Sequence, residues 1–259
     1  MIRAVLFDLD DTLVDFRPMS PRALFEAGAG RVYAYLTARG CSLPAFDPFL
    51  RRLRAIARRI EWRTWLTGGE PDERRLLSRV CHDYGLQRDE ISLSRLGRLW
   101  YEPVIDSVEP LSRDVISTLH ALRDGNVKLA LVVNTRHHGP AIDRHLAALG
   151  LLDFFPVRAY SSEHGTRKPH AHLYEWALAR LGVGASQALF VGDDARTDLL
   201  GARRCGLRTC LRTRTPQRCR AQADYAIERI AELLAIFDIV PETRDRAETT
   251  PLPQLGVPA

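Results

Sequence analysis

The chain has 259 residues, of which 46% are hydrophobic and 27% charged, and its formal net charge is +5 at pH 7. These values are typical of a soluble globular protein with one large or two smaller domains, and no apolar run approaches the ~18 residues that a membrane span requires. The basic residues are almost all arginine and are spread through predicted helices, so the charge does not indicate nucleic-acid binding.

The N-terminus and the cysteines favour a cytoplasmic location. Arg3 is followed by an acidic stretch that begins at Asp8, which is not the pattern of a secretory signal. The cysteines are odd in number and form no C-x-x-C pair, which favours free thiols in a reducing compartment. They are Cys41, Cys81, Cys205, Cys210 and Cys219. We therefore expect neither nucleic acid nor a membrane as a partner, and the oligomeric state is left open.

Short apolar runs predict the strands of a parallel sheet. These runs lie at 4–7, 129–133, 157–160, 188–191 and about 208–211. Helical patterns alternate with the later runs, at 140–149, 170–182, 196–205 and 227–237. The alternation predicts an α/β fold, a Rossmann-like doubly wound parallel sheet with helices on both faces.

The stretch between the first two predicted strands differs, because it contains no convincing strand. Helical patterns lie near 21–38, 46–66, 72–84 and 92–102. We predict that residues 17–105 are an all-helical insert and that residues 1–16 and 106–240 form the α/β core. Residues 241–259 are rich in Pro, Thr and charge, which predicts a disordered tail.

Segment 51–63 of this insert is rich in arginine. At helical spacing its apolar residues share one face and the arginines the other, which is typical of a solvated amphipathic helix. The apolar residues are Leu53, Ile56, Ala57 and Ile60. An anion-attracting face is the alternative. Trp62 lies within this segment and Trp65 follows it, and core packing is the first interpretation of both.

Polar side chains follow the ends of three predicted strands, namely Asp8 and Asp10, Asn134 and Thr135, and Asp193 and Asp194. Ligands of open parallel sheets bind outside the carboxyl ends of the strands, so we expect these residues to share one edge. Asp8, Asp10 and Asp11 would repel one another there unless a cation or a shared proton lay between them. The pattern therefore indicates a cation-assisted site.

Three motifs in this order resemble those of the haloacid dehalogenase-like (HAD) hydrolase superfamily. Asp8-Leu9-Asp10-Asp11-Thr12 matches D-x-D-x-T, Lys168-Pro169 matches the lysine motif, and Gly192-Asp193 through Asp198 matches G-D-x-x-x-x-D. The resemblance covers about residues 1–215. It implies a Rossmann-like core, a helical cap that closes over the site, and hydrolysis of phosphate esters with Mg2+.

The resemblance also implies a role for each matched residue. Asp8 would attack phosphorus and become an aspartyl-phosphate, and Asp10 would act first as general acid and then as general base. Lys168 would neutralise Asp8 and a phosphate oxygen. Magnesium would bind Asp8, the backbone carbonyl of Asp10, and Asp193.

Two further acids follow Asp193. Asp194 or Asp198 would complete the outer shell of the metal site, and capping of the helix that begins near Ala195 is the alternative for each. The residues alone do not rank the two.

The sequence departs from the family pattern at the end of the second strand. Val133 stands where the family has a Ser or Thr whose hydroxyl contacts the phosphoryl group. Asn134 or Thr135 would then bind the phosphate after a small shift, unless the backbone does so alone or catalysis has been lost. His137 and His138 follow in the same loop, where solvated histidines are the usual case.

The leading hypothesis is a magnesium-dependent phosphatase that acts on a small phosphorylated metabolite. Asp10 favours phosphoryl transfer, because family members that cleave carbon–halogen bonds lack this second acid. A non-catalytic protein that binds a phosphorylated ligand or partner is the alternative that Val133 suggests. A phosphomutase is the third hypothesis.

Overall fold

The computed structural model describes residues 1–67, 71–86, 92–214 and 223–239. The sheet strands are β1 (Ala4–Phe7), β2 (Lys128–Val133), β3 (Val157–Tyr160), β4 (Ala188–Gly192), β5 (Arg208–Arg212) and β6 (Tyr225–Ile227). The helices are α1 (Pro21–Ala38), α2 (Phe46–Thr67), α3 (Glu73–Asp83), α4 (Leu93–Asp106), α5 (Arg113–Asp124), α6 (Gly139–Ala148), α7 (Ser161–His164), α8 (Ala171–Leu181), α9 (Leu200–Arg204) and α10 (Leu233–Ile236).

The strands of the described residues form one parallel sheet in the order β3-β2-β1-β4-β5-β6. Helices cover both of its faces, so the predicted Rossmann-like doubly wound fold is confirmed. Alternate residues of β1 enter different hydrophobic clusters: Val5 packs with residues of α5 and α6, and Leu6 with residues of α8 and α9. Such near-continuous burial is why β1 and β4 appear in the sequence as unbroken apolar runs.

The register of the sheet determines where the polar residues meet. Phe7, the last residue of β1, lies opposite Leu131 of β2 and Val191 of β4. The carboxyl ends of these three neighbouring strands therefore lie at one edge, and the loops that leave them share it.

Helices α1 to α4 form a hydrophobic cluster of their own, separate from the two clusters that flank the sheet. Leu53 is fully buried and Ile56 is nearly so, which confirms the amphipathic character of segment 51–63. Trp62 is 63% exposed, so core packing is wrong for this residue, whose helix position faces outward. The structure describes the backbone of Trp65 but not its side chain. The division into core and cap domains stays a prediction.

Two segments differ from their predicted structure. Residues 227–237 are not one helix: β6 ends at Ile227, a 3-10 turn spans Ile230–Glu232, and α10 follows. Pairing with β5 makes residues 225–227 a strand, and three residues are too short for a periodic signal. Residues 195–199 form a π-helical turn ahead of α9 rather than a regular helix. Helix α5 was not predicted.

Within the part of the chain that the structure describes, no helix is both long enough and apolar enough to cross a membrane. Cys41, Cys81, Cys205 and Cys210 are thiols that take part in no disulfide among the described residues, in agreement with the prediction. Cys219 and the predicted tail, 241–259, lie outside the described residues.

Candidate active site

A tight turn follows β1 and carries the first two candidate acids. The Asp8 amide donates to Val191 O at 2.9 Å, which extends the strand pairing by one residue. Leu9 O then accepts the amides of Leu13 and Val14, at 2.9 and 3.1 Å. The turn leaves the Asp8 side chain buried at the sheet edge, whereas Asp10 retains accessible surface.

Asp11, the third acid of this stretch, is exposed and adopts a φ of 54°. Its carboxylate accepts a hydrogen bond from the backbone of Phe16, and its carbonyl accepts one from Arg212 at 2.8 Å. Asp11 therefore bonds to the turn that follows it and to Arg212 rather than joining Asp8.

Lys168 is the cation of the site and is 2% exposed. Its Nζ lies 2.6 Å from Asp8 Oδ1 and 2.7 Å from Asp198 Oδ1. Desolvation alone would lower the pKa of Lys168, but the two carboxylates outweigh it and raise that pKa. Burial raises the pKa of Asp8, and Lys168 opposes this increase. Lys168 therefore stays charged between two acids.

Asp193 joins this cluster from the end of β4. Carboxylate oxygens of Asp8, Asp193 and Asp198 all lie within 4.8 Å of one another. Desolvation, and then the charges of Asp8 and Asp198, raise the pKa of Asp193 to about 7. A cation among these oxygens would remove that repulsion, and Mg2+ prefers such ligands. The donor set therefore fits magnesium.

Gly192 allows Asp198 to approach this cluster. A Cβ at position 192 would lie 2.7 Å from both Cβ and Cγ of Asp198, closer than such atoms pack. The glycine of the G-D-x-x-x-x-D pattern is thus required by the side chain six residues later.

The structure gives Asp194 and Asp198 different contacts, although the sequence could not rank them as outer-shell residues of the metal site. Asp194 accepts the backbone amides of Arg196 and Thr197, at 2.7 and 3.0 Å, so its carboxylate caps the following turn. Asp198 is 1% exposed, accepts the Asp194 amide at 3.2 Å, and pairs with Lys168. The outer-shell role predicted for either residue stays a prediction, and the position of Asp198 suits it better.

The pKa of Asp10 suits this residue to proton transfer. Desolvation, followed by the charge of Asp8, raises its pKa to about 7, and the nearby charges of His137 and Lys168 moderate the rise. A carboxyl with a pKa near neutrality can both donate and accept a proton during one catalytic cycle.

The end of β2 brings three further candidates to the same edge. Val133 is buried in the apolar cluster that contains Phe7. The Asn134 side chain holds the backbone of Lys168: Lys168 N donates to Oδ1 at 2.7 Å, and Nδ2 donates to Lys168 O at 3.1 Å. Thr135 Oγ1 accepts the His137 amide at 3.0 Å, which leaves its hydroxyl proton free to be donated. Which of the two residues replaces the missing hydroxyl stays a prediction.

His137 makes a contact that the sequence did not indicate. Its Nδ1 lies 2.6 Å from Glu73 Oε2, and the Glu73 side chain is only 2% exposed. The ring of Tyr101 lies against His137, with centroids 4.6 Å apart. Glu73 and Tyr101 belong to α3 and α4, so helices of the insert reach the loop after β2. No motif links residues so distant in sequence.

Comparison with known proteins identifies the family of this fold and site. The sequence model of the haloacid dehalogenase-like hydrolases matches residues 2–206. The chain is 29% identical over 248 residues to ribulose-1,5-bisphosphate 5-phosphatase of Halopiger xanaduensis, which covers 90% of this chain and 98% of the relative. It is 31% identical over 224 residues to the 5-amino-6-(5-phospho-D-ribitylamino)uracil phosphatase YigB of Escherichia coli, covering 81% and 82%.

Solved structures agree with the sequence comparisons. A 2-haloacid dehalogenase from Pseudomonas syringae superposes with a TM-score of 0.64 at 25% identity, over 92% of this chain and 99% of the other. The chain therefore belongs to the haloacid dehalogenase-like hydrolase family, and its relatives over most of its length include phosphatases, which are phosphoric monoester hydrolases.

Proposed function

We propose that this enzyme is a magnesium-dependent phosphatase that hydrolyses a small phosphorylated metabolite through an aspartyl-phosphate on Asp8. The observation that carries the proposal is the pairing of the buried Asp8 with Lys168, 2.6 Å apart, beside a second acid with a pKa near 7. The phosphatases among its relatives support the reaction class.

The side chains suggest a two-step reaction. A carboxylate oxygen of Asp8 attacks phosphorus while protonated Asp10 donates its proton to the departing alcohol oxygen. Asp10, now ionised, takes a proton from the water that attacks the aspartyl-phosphate, which releases phosphate and restores both acids. Lys168 holds the nucleophile and offsets the charge of the phosphoryl oxygens.

Asp8, Asp193 and the backbone carbonyl of Asp10 would hold the metal, with Asp198 behind them. Bound Mg2+ would supply charge neutralisation between the anionic nucleophile and the phosphate. This chain's own residues position the nucleophile: Asn134 fixes the backbone of Lys168, and Lys168 fixes the Asp8 carboxylate. The hydroxyl of Thr135 is the donor that we assign to the phosphoryl group in place of the absent family hydroxyl.

The fold alone does not distinguish a phosphatase from a dehalogenase, because the chain also superposes on a dehalogenase. Asp10 favours the phosphatase. Halide leaves without a proton, whereas an alcohol oxygen needs one, so a proton donor to the leaving group is needed only in the phosphatase. Val133 favours one other candidate, a protein that binds a phosphorylated ligand without turning it over.

Phosphate release from a panel of phosphomonoesters tests the proposal. We expect release that requires Mg2+ and is abolished in Asp8→Asn, which keeps the shape of the side chain but removes the nucleophile. Folded protein that binds a phosphate ester in calorimetry, yet releases no phosphate at saturating Mg2+, would instead support the non-catalytic candidate.

A further inference from the structure

A basic groove lies between α2 and α3 of the insert, outside the candidate active site. It measures about 490 Å3, within the range of pockets that hold small molecules. Among the described residues, no acid lines this groove, and neither does any residue assigned to the active site. Its α2 side comes mostly from segment 51–63, for which an anion-attracting face is one interpretation of the sequence. The arginines that line it are Arg52, Arg59, Arg63, Arg75 and Arg79.

Helical spacing distributes these arginines along the groove rather than at one point. Arg52, Arg59 and Arg63 are seven and then four residues apart, so they share one face of α2. At the rise of an α-helix this row extends over about 16 Å. Arg75 and Arg79 are one turn apart on α3 and face the same groove. Both sides of the groove therefore carry guanidinium groups.

Asp83 connects the two sides of the groove. Arg52 Nε of α2 donates to its Oδ2 at 2.9 Å, and Arg79 Nε of α3 lies 2.9 Å from its Oδ1. The Asp83 side chain is only 11% exposed. One carboxylate thus holds two guanidinium groups, which leaves a net positive charge there and orders both arginines before any ligand binds.

Two other arginines of the groove have little or no ion pairing. Arg59 is exposed, and it pairs with no acid among the described residues. Arg75 Nε lies 3.9 Å from Asp72 and its side chain is 71% exposed, so this pair contributes little. Both guanidinium groups are therefore available to an anion that enters the groove.

We propose that this groove binds a small linear polyanion, a chain of phosphoryl groups, at a second site of the protein. A planar guanidinium donates two parallel hydrogen bonds to a phosphate, which suits arginine to such a ligand. In a chain, successive phosphoryl groups meet successive arginines, whereas a single phosphate reaches few of them. Inorganic polyphosphate and the triphosphate of a nucleotide share this chemistry. Ile56 and Ile60 also line the groove and offer apolar surface to a nucleoside.

Calorimetry on protein freed of divalent ions by dialysis tests the proposal with four probes: tripolyphosphate, adenosine triphosphate, citrate and orthophosphate. We expect one tripolyphosphate to bind per chain, roughly tenfold tighter than citrate or orthophosphate, because it adds exposed ion pairs along the row. Adenosine triphosphate binding tighter than tripolyphosphate would identify a nucleotide as the ligand, and weaker binding would identify the inorganic chain. Citrate or orthophosphate binding as tightly as tripolyphosphate, or no binding of tripolyphosphate, overturns the proposal.

A pair of double variants shows whether the anion lies in the groove. Arg59→Gln/Arg75→Gln removes one guanidinium from each side and should weaken tripolyphosphate binding roughly four- to 25-fold, the product of two exposed ion pairs. Arg58→Gln/Arg74→Gln is the matched control, because it removes the same charge at neighbouring exposed positions that do not line the groove. The control should change the affinity less than about twofold. Equal weakening in both variants, or in neither, overturns the assignment to this groove. Neither measurement involves catalysis, so such a result leaves the proposed function intact.

Discussion

Replacing Lys168 by methionine should destabilise the metal-free protein far more than an ordinary lysine substitution. The side chain is 2% exposed and lies within 2.7 Å of two carboxylates, so the variant would leave Asp8 and Asp198 buried without their cation. Removing one partner of a buried ion pair costs about 3–5 kcal/mol. For a chain of this size, this corresponds to a decrease in Tm of roughly 6–20 °C.

The cost should also depend on pH. Without Lys168, desolvation and mutual repulsion would raise the pKa of the Asp8 carboxyl still further above its unfolded value. The folded variant then binds more protons than the unfolded chain at intermediate pH, so its stability falls as pH rises. The deficit relative to wild type should therefore be smaller at pH 5 than at pH 7.5.

Urea unfolding in EDTA at the two pH values measures both effects. Lys128→Met is the matched control, because the chain's other lysine is exposed and donates its hydrogen bond to a backbone carbonyl, Leu181 O. A Lys168→Met variant within about 1 kcal/mol of this control at pH 7.5 would refute the reasoning, using the usual range for exposed sites as the reference.

Three further outcomes are expected. Gly192→Ala should weaken Mg2+ binding in calorimetry, because the added Cβ displaces Asp198. Gly184→Ala is the control and should bind Mg2+ normally, because a Cβ at position 184 has no atom closer than 3.8 Å. Equal affinities in the two variants would contradict the steric argument. Mg2+ should raise Tm more at pH 8 than at pH 5.5, because Asp193, with a pKa of about 7, is protonated below neutrality and protons then compete with the metal. Asp193→Asn should reduce that difference, and a larger shift at pH 5.5 would be inconsistent with the site. Thr135→Val should lower kcat/KM by roughly 10²–10³ and Thr135→Ser should retain most activity; a fully active valine variant would mean that another group binds the phosphate.

The sheet was the most predictable part of the molecule. The run at 4–7 coincides with an observed strand, because a strand buried on both faces must be apolar throughout. The strand at 225–227 was missed, since its three residues form a strand only through pairing with β5. The helix at 21–38 was predicted to the residue, and in the structure Ser20 is its N-cap and Pro21 its first residue.

The site was predictable only where motifs are local. Asp8 and Asp193 lie together because they follow the ends of the neighbouring strands β1 and β4, and Lys168 reaches Asp8 from the segment after β3 and α7. The sequence could not distinguish Asp194 from Asp198, because both are acids near a helix start and only packing against Gly192 and Lys168 separates them. Glu73 was not identified from the sequence, because it belongs to no local motif: it is a single acid at the start of a helix, and its partner His137 is 64 residues away.

The central claim is that Asp8 carries the phosphoryl group and Asp10 then activates the water that removes it. Asp10→Asn treated with acetyl phosphate and Mg2+ tests this directly, because acetate leaves without a proton and the first step should survive while the second stalls. After acid quenching, mass spectrometry should find one added phosphoryl group on the peptide that contains Asp8, and none in Asp8→Asn/Asp10→Asn. Two results would contradict the account. One is that the Asp8 peptide of Asp10→Asn stays unmodified although the wild-type enzyme hydrolyses acetyl phosphate. The other is that the phosphoryl group is found on another residue.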